Sequence, residues 1–286
     1  MRTASFPATA VVVLVILLLP GCGAETQPSL NPEHTKPMRV VSLDLCADQY
    51  VLKLVDRERI LAVSPKATAD FSYMREAAAG VPVVRPVAED VLALKPDLVV
   101  RAYGGGPGAT AFFERAGIPI VKVGWASDIA AVFDIVRRVS TGLQEQERGT
   151  ALIEHMARRL DRLAARAGSA STLYMTPSGV TTGPGSLVHD MIVRAGLTNF
   201  QTQPGWNPIP LERLAYDTPD RVAAAFFDTR TSHPDAWSAM RHPVARATLR
   251  GQPTVPLKGA WTACAGWFLM DAVEALADPD VQVQSP

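Results

Sequence analysis

Apolar positions along this chain fall into short β-branched runs separated by stretches of helical spacing. Arg39–Leu43 (RVVSL) is the first such run, and a helical pattern follows from Ala47 to Val55. Ile60–Val63, Val81–Val84, Asp97–Val100 and Ile118–Val123 are further strand candidates. Helical patterns that begin near Ala88 and span Ala109 to Ala116 precede the last two. Strands alternating with helices pair in parallel through crossover connections. An α/β lobe is therefore expected over residues 38–142.

A different pattern follows. Gln144 to Arg166 carries no proline and a single glycine, Gly149. Leu152, Met156, Leu160 and Leu163 recur at spacings of four, four and three, which is one helical face. At 1.5 Å per residue such a helix runs roughly 35 Å, enough to cross between lobes. Gly168-Ser169 closes it, so residues 143–168 are expected to connect. The α/β pattern then restarts with strands at Ser171–Met175, Arg221–Phe227 and Thr254–Leu257 and helices at Leu187–Ala195 and Ala265–Ala277. Residues 169–286 read as a second α/β lobe.

The N-terminus lies outside this pattern. One Arg precedes an unbroken apolar run from Ala10 to Leu19. A membrane-spanning helix needs roughly 20 apolar residues, so this shorter run reads as a secretory signal. It ends in Leu19-Pro20-Gly21-Cys22, which resembles a bacterial lipoprotein box with Cys22 as the lipidated residue. Pro20 departs from the usual small residue, and an ordinary signal peptide is the alternative. Residues 23–37 are polar and proline-rich, as a flexible tether would be. The mature chain is expected in the periplasm, held to the membrane by its lipidated N-terminus.

Charge and composition remove other classes. Lys plus Arg and Asp plus Glu are each 28 in 286 residues, with no basic cluster. Phosphate neutralisation needs such clusters, so nucleic acid is not an expected partner. There is no G-x-S-x-G nucleophile elbow. The five histidines show no metal-ligand spacing, so no catalytic residue and no resident metal or cofactor is expected. His155 reads as a packed or surface residue. Asp44 and Asp48 flank the first turn, where carboxylates usually cap. The loops 104–108 and 183–186 are glycine-rich but lack the dinucleotide fingerprint and the P-loop lysine, so they read as tight turns.

Six segments, in order, carry a family resemblance: RVVSLDLCADQYVLKLV, AEDVLALKPDLVV, FERAGIPIVKV, GPGSLVHDMIVRAGLTNF, WNPIPLERLAYDTPDRV and VPLKGAWTACAGWFLMDAVEALA. Together they make the chain similar to the class III periplasmic solute-binding proteins of ABC importers. That resemblance implies two Rossmann-like lobes, one spanning helix, a ligand cleft between the lobes and modest lobe motion. It implies a monomer working with an ABC permease dimer and a cytoplasmic ATPase. It also implies a metal-chelate ligand of the cobalamin, iron-siderophore or haem type. A lipoprotein sensor or assembly factor on the same fold, binding a partner protein, is the alternative.

The resemblance also implies roles for particular residues. Glu89 and Glu212 begin corresponding helices and match the glutamates that pair with permease arginines; alternatively each merely favours a helix N-terminus. Tyr103, Trp206 and Trp261 are expected to contact ligand, with Tyr73 and Phe71 at the cleft edge. Trp125 and Trp267 divide evenly between cleft and core. Arg101 either pairs with a ligand carboxylate or is an ordinary surface arginine. With Cys22 set aside, Cys46 and Cys264 remain, both in loops that the family match turns toward the cleft. A disulfide, a soft metal- or haem-ligand pair and two unpaired buried cysteines all stay open for them.

Overall fold

The computed structural model describes residues 36–37, 39–163, 169–229 and 237–278. The leader, Cys22, most of the tether, residues 164–168 of the predicted connecting helix, and His34 and His233 lie outside the described residues.

In chain order, the first half runs β1 (Val40–Ser42), α1 (Leu45–Leu54), β2 (Ile60–Ala62), α2 (Ala88–Ala93), β3 (Leu98–Arg101), α3 (Ala109–Arg115), β4 (Ile120–Lys122) and α4 (Ile129–Gly142). Then comes α5 (Gln146–Leu163). The second half runs β5 (Ser171–Met175), β6 (Val180–Thr182), α6 (Leu187–Arg194), β7 (Thr198–Asn199), β8 (Trp206–Pro208), α7 (Leu211–Leu214), β9 (Arg221–Ala225), α8 (Pro243–Gly251), β10 (Thr254–Leu257), α9 (Gly259–Thr262) and α10 (Leu269–Ala277).

Two four-stranded parallel sheets result, ordered β2-β1-β3-β4 and β10-β9-β5-β7. Strand side chains alternate between faces, and each sheet buries both. Val41 and Val99 join one cluster with Phe113 of α3, while Val40, Leu98 and Val100 face the opposite way. In the second sheet Leu173, Met175 and Val222 pack with Leu249 of α8, and Tyr174 and Ala223 face the other side. The inward faces of both sheets belong to one continuous core, which includes Tyr50, Val136, Leu152, Met191, Trp267 and Leu276.

Helix α5 packs against α4 of the first lobe and α10 of the second. Its 18 residues span about 27 Å. Gly149 permits the α4–α5 crossing, because a Cβ there would lie 2.1 Å from Ser140 Oγ. The helix starts later than the pattern predicts. Gln144 adopts φ 57° and breaks the path from α4. Glu145 is buried in an ion pair with Arg59, with Lys36 Nζ 3.1 Å away.

Other boundaries also moved. Val81–Val84 forms only a single bridge, Val63 to Val83, instead of a strand. Pro82 has no N–H to donate to a ladder. The final helix begins at Leu269, not Ala265, after the short α9 and an irregular loop. Helices α4 and α8 and the antiparallel pair β6–β8 were not read from the pattern. The stripe of α4, Ile129, Val132, Val136 and Val139, has helical spacing but is built of β-branched residues.

Candidate ligand cleft

The cleft opens where strands of both lobes end, the usual ligand position in parallel α/β sheets. It is a cavity of about 650 Å³. Residues just beyond β3 and β4 form one wall, and Tyr174, the β6–β8 region, Phe226 and the loop after α9 form the other.

Tyr103 is held there by two buried charges. Asp44 caps α1 by accepting from Ala47 N at 3.0 Å, and its other oxygen accepts from the N–H groups of Ala102, Tyr103 and Gly104 at 2.7–3.0 Å. Arg101 donates to the carbonyls of Gly104, Tyr103 and Gly106 at 2.8, 3.2 and 2.9 Å, and to Thr110 Oγ1 at 2.6 Å. The turn closes tightly, since a Cβ on Gly104 would lie 2.2 Å from Leu43 O. The loop thus presents a half-exposed phenol to the cavity. Burial, and then the nearby charges of Asp44 and Asp48, push that phenol above its ordinary pKa, so it is a neutral hydroxyl at physiological pH.

Trp125 follows β4 after Gly124, whose φ is 82°. Arg138 of α4 steadies this turn by donating to Val123 O at 2.6 Å. The indole is 88% exposed at the cavity edge. From the other lobe, Trp206 pairs with Thr182 across the β6–β8 ladder and is 61% exposed. Its ring meets buried Tyr174 edge-on at 6.2 Å.

The cavity therefore gathers Tyr103, Trp206, Trp125, Cys46 and Cys264 from the candidate residues. Arg101, Tyr73 and Trp261 are placed elsewhere. Arg101 is buried, with its guanidinium donors committed to loop carbonyls and Thr110, so it holds the loop that carries Tyr103. Tyr73 donates to Asp271 Oδ2 at 3.0 Å and stacks on Phe268 at 4.9 Å, as a contact between the lobes. Burial and the Asp271 carboxylate push its phenol up to about 12. Trp261 is half-buried under Lys258 Nζ, 5.3 Å from its ring centre. Trp267 is core, edge-on to Tyr50 at 5.5 Å.

Glu89 and Glu212 are both exposed, in the first turns of α2 and α7. Cys46 and Cys264 form a disulfide with Cα atoms 5.4 Å apart, so neither sulfur is a thiolate in this state. Tyr174 and Phe226 line the cavity and Asp44 braces the loop that carries Tyr103, positions that sequence reasoning did not assign to the cleft. Asp44 was legible only as a cap; its second task joins residues about sixty positions apart.

Two α/β lobes, one helix between them and an aromatic cleft at the strand ends define a solute-binding protein. The family model "Periplasmic binding protein" matches residues 40–234, and the chain belongs to that family. Its members are extracytoplasmic, bind solutes for ABC transporters, and are not enzymes. Solved structures share the fold. A possible iron-binding periplasmic solute-binding protein from Staphylococcus epidermidis aligns with TM-score 0.68 and 16% identity, over 85% of this chain and 98% of that one. A periplasmic haem-binding protein from Pseudomonas aeruginosa aligns with TM-score 0.62 and 23% identity, over 84% and 91%. The periplasmic vitamin B12-binding protein of Vibrio cholerae aligns with TM-score 0.61 and 18% identity, over 85% and 96%. No curated protein matches the chain in sequence.

Proposed function

We propose that this protein captures a metal chelate of the cobalamin, ferric siderophore or haem type and delivers it to an ABC permease. The observation that carries this reading is the cavity itself, with aromatic side chains reaching it from both lobes. Its size falls within the range of small-molecule sites. Flat, partly apolar rings suit flat, partly apolar ligands, and the neutral Tyr103 hydroxyl adds one polar contact.

Glu89 and Glu212 are the docking points on the permease in this reading, because two separated negative charges orient a protein on a two-fold partner and speed encounter. Glu89→Arg with Glu212→Arg abolishes uptake in cells while the purified protein keeps its ligand affinity; a matching loss of affinity would place these residues in the ligand site instead. Cys22 carries the lipid that holds the protein at the membrane, and two acyl chains anchor stably where one is marginal. Cys22→Ser then leaves the membrane fraction; unchanged partitioning contradicts the anchor.

The ligand reading is tested by tryptophan-fluorescence titration of the full chain with cobalamin, cobinamide, haem and ferric siderophores. Saturable quenching by one of them is the expected result. Failure of every probe favours a sensor or assembly lipoprotein that binds a partner protein.

A further inference from the structure

The disulfide occupies an unusual place. Cys46 lies in the first turn of α1 in one lobe, and Cys264 lies between α9 and α10 in the other, 218 positions away. Both residues also line the cavity. The bond is therefore a cross-lobe link and a piece of the cavity wall at once.

It is also the inner end of a longer seam. One turn further along α1, Tyr50 donates to Ala265 O at 2.8 Å. Beyond it, Lys53 Nζ lies 5.9 Å from the Trp267 ring centre. Positions 46, 50 and 53 share one helix face, so α1 presents a single cross-lobe stripe. Tyr73 extends the stripe by its contacts with Phe268 and Asp271. Tyr50 and Trp267 are buried and edge-on to each other, so this side of the interface also has contacts that do not pass through the sulfurs. Within the folded protein the bond ties down residues 262–265, which form part of the cavity wall.

We propose that the Cys46–Cys264 disulfide sets the width of the cleft, so that the oxidised chain is the ligand-competent form and reduction loosens the cavity wall without unfolding either lobe. The ligand part of this proposal rests on the solute-capture reading above. A dithiol would open the bond by two exchanges: the S–S bond becomes two thiols, taking two electrons and two protons. The dithiol closes to its own cyclic disulfide.

The test uses the full chain in three forms: oxidised, reduced with dithiothreitol to two additional titratable thiols, and the Cys46→Ala/Cys264→Ala double variant. Hydrogen exchange is read over residues 261–266 and the first turn of α1, with β3 and β9 as controls for folding. The expected result is about tenfold faster exchange in those two segments, equivalent to ~1.4 kcal/mol, in both the reduced and variant forms, with β3 and β9 still protected. Unchanged exchange in the two segments overturns the proposal. Loss of protection in β3 and β9 also overturns it, because the bond would then be a global staple. In a second arm, wild type and the double variant are titrated with cobinamide, haem and a ferric trihydroxamate without reductant. Binding about tenfold weaker in the variant supports the proposal, and equal binding overturns it. If no probe binds wild type, the capture reading fails while the exchange arm still decides whether the disulfide controls the wall.

Discussion

The two sides of the cleft are built on opposite principles. On the α1–α10 side the lobes meet through buried aromatic rings, a tyrosine-to-carbonyl hydrogen bond and a disulfide. At the mouth, Trp125 stands exposed on a turn steadied by Arg138, and Trp206 stands exposed at the start of β8, paired with Thr182. The first arrangement buries apolar surface and ties the two lobes to each other. The second leaves large apolar faces unburied, which costs stability and is retained where a partner surface will cover them. Residues of the same type thus serve two roles, decided by whether a neighbouring element covers them.

Substitutions should separate the two sides by magnitude. Trp267 lies in the seam and is nearly fully buried against Tyr50 and Tyr73. Trp267→Ala is expected to cost about 3–5 kcal/mol in chemical denaturation, as large-to-small changes of buried aromatics do. A loss below about 1 kcal/mol would mean the seam can collapse around the void and is not closely packed.

The seam helix also carries a pH-dependent cost. Asp48 is buried on α1, and burial raises its carboxyl to about 6 despite bonds from Ser64 N at 3.0 Å and Ser64 Oγ at 2.6 Å. A carboxyl raised on folding binds more protons in the folded state than in the unfolded chain. Its favourable contribution is present below the ordinary value of 3.8 and is lost as pH rises through about 6. Wild type minus Asp48→Asn should therefore show stability falling between about pH 4 and 6 and level above. A flat difference would show that Asp48 titrates normally.

At the mouth the ordering reverses. Trp125→Ala removes an indole that is 88% exposed, so unfolding free energy should change by no more than about 0.5 kcal/mol. Ligand affinity should fall instead. A large stability loss with affinity unchanged would assign Trp125 to the lobe rather than the cleft.

The same division explains what the sequence could disclose. The parallel lobes were legible because Val40, Val41, Val99 and Val100 sit in short β-branched runs, and a strand buried on both faces needs such runs. The spanning helix was legible from the spacing of Leu152, Met156 and Leu163. The β6–β8 pair was hidden, since its strands are three residues long and contain polar residues and Pro208. Among the aromatics, Tyr73 and Tyr103 look alike in sequence as loop residues. Only the approach of α10 buries the first, and only the Asp44 and Arg101 anchors turn the second toward the cavity. Arg101 looked like a free cation at a strand end until carbonyls two to five positions ahead in the chain claimed it.

The central claim is that the cavity between the lobes is where a chelate ligand binds. Its most direct test compares the affinity of one bound probe for wild type, Trp206→Ala and Tyr216→Ala by isothermal titration calorimetry. Trp206 lines the cavity, whereas Tyr216 is 95% exposed on the surface after α7 and does not line it. One site per chain is expected, weakened at least about tenfold by Trp206→Ala, or ~1.4 kcal/mol, and unchanged by Tyr216→Ala. Equal affinity for wild type and Trp206→Ala would contradict the claim, as would the absence of a saturable site for every probe.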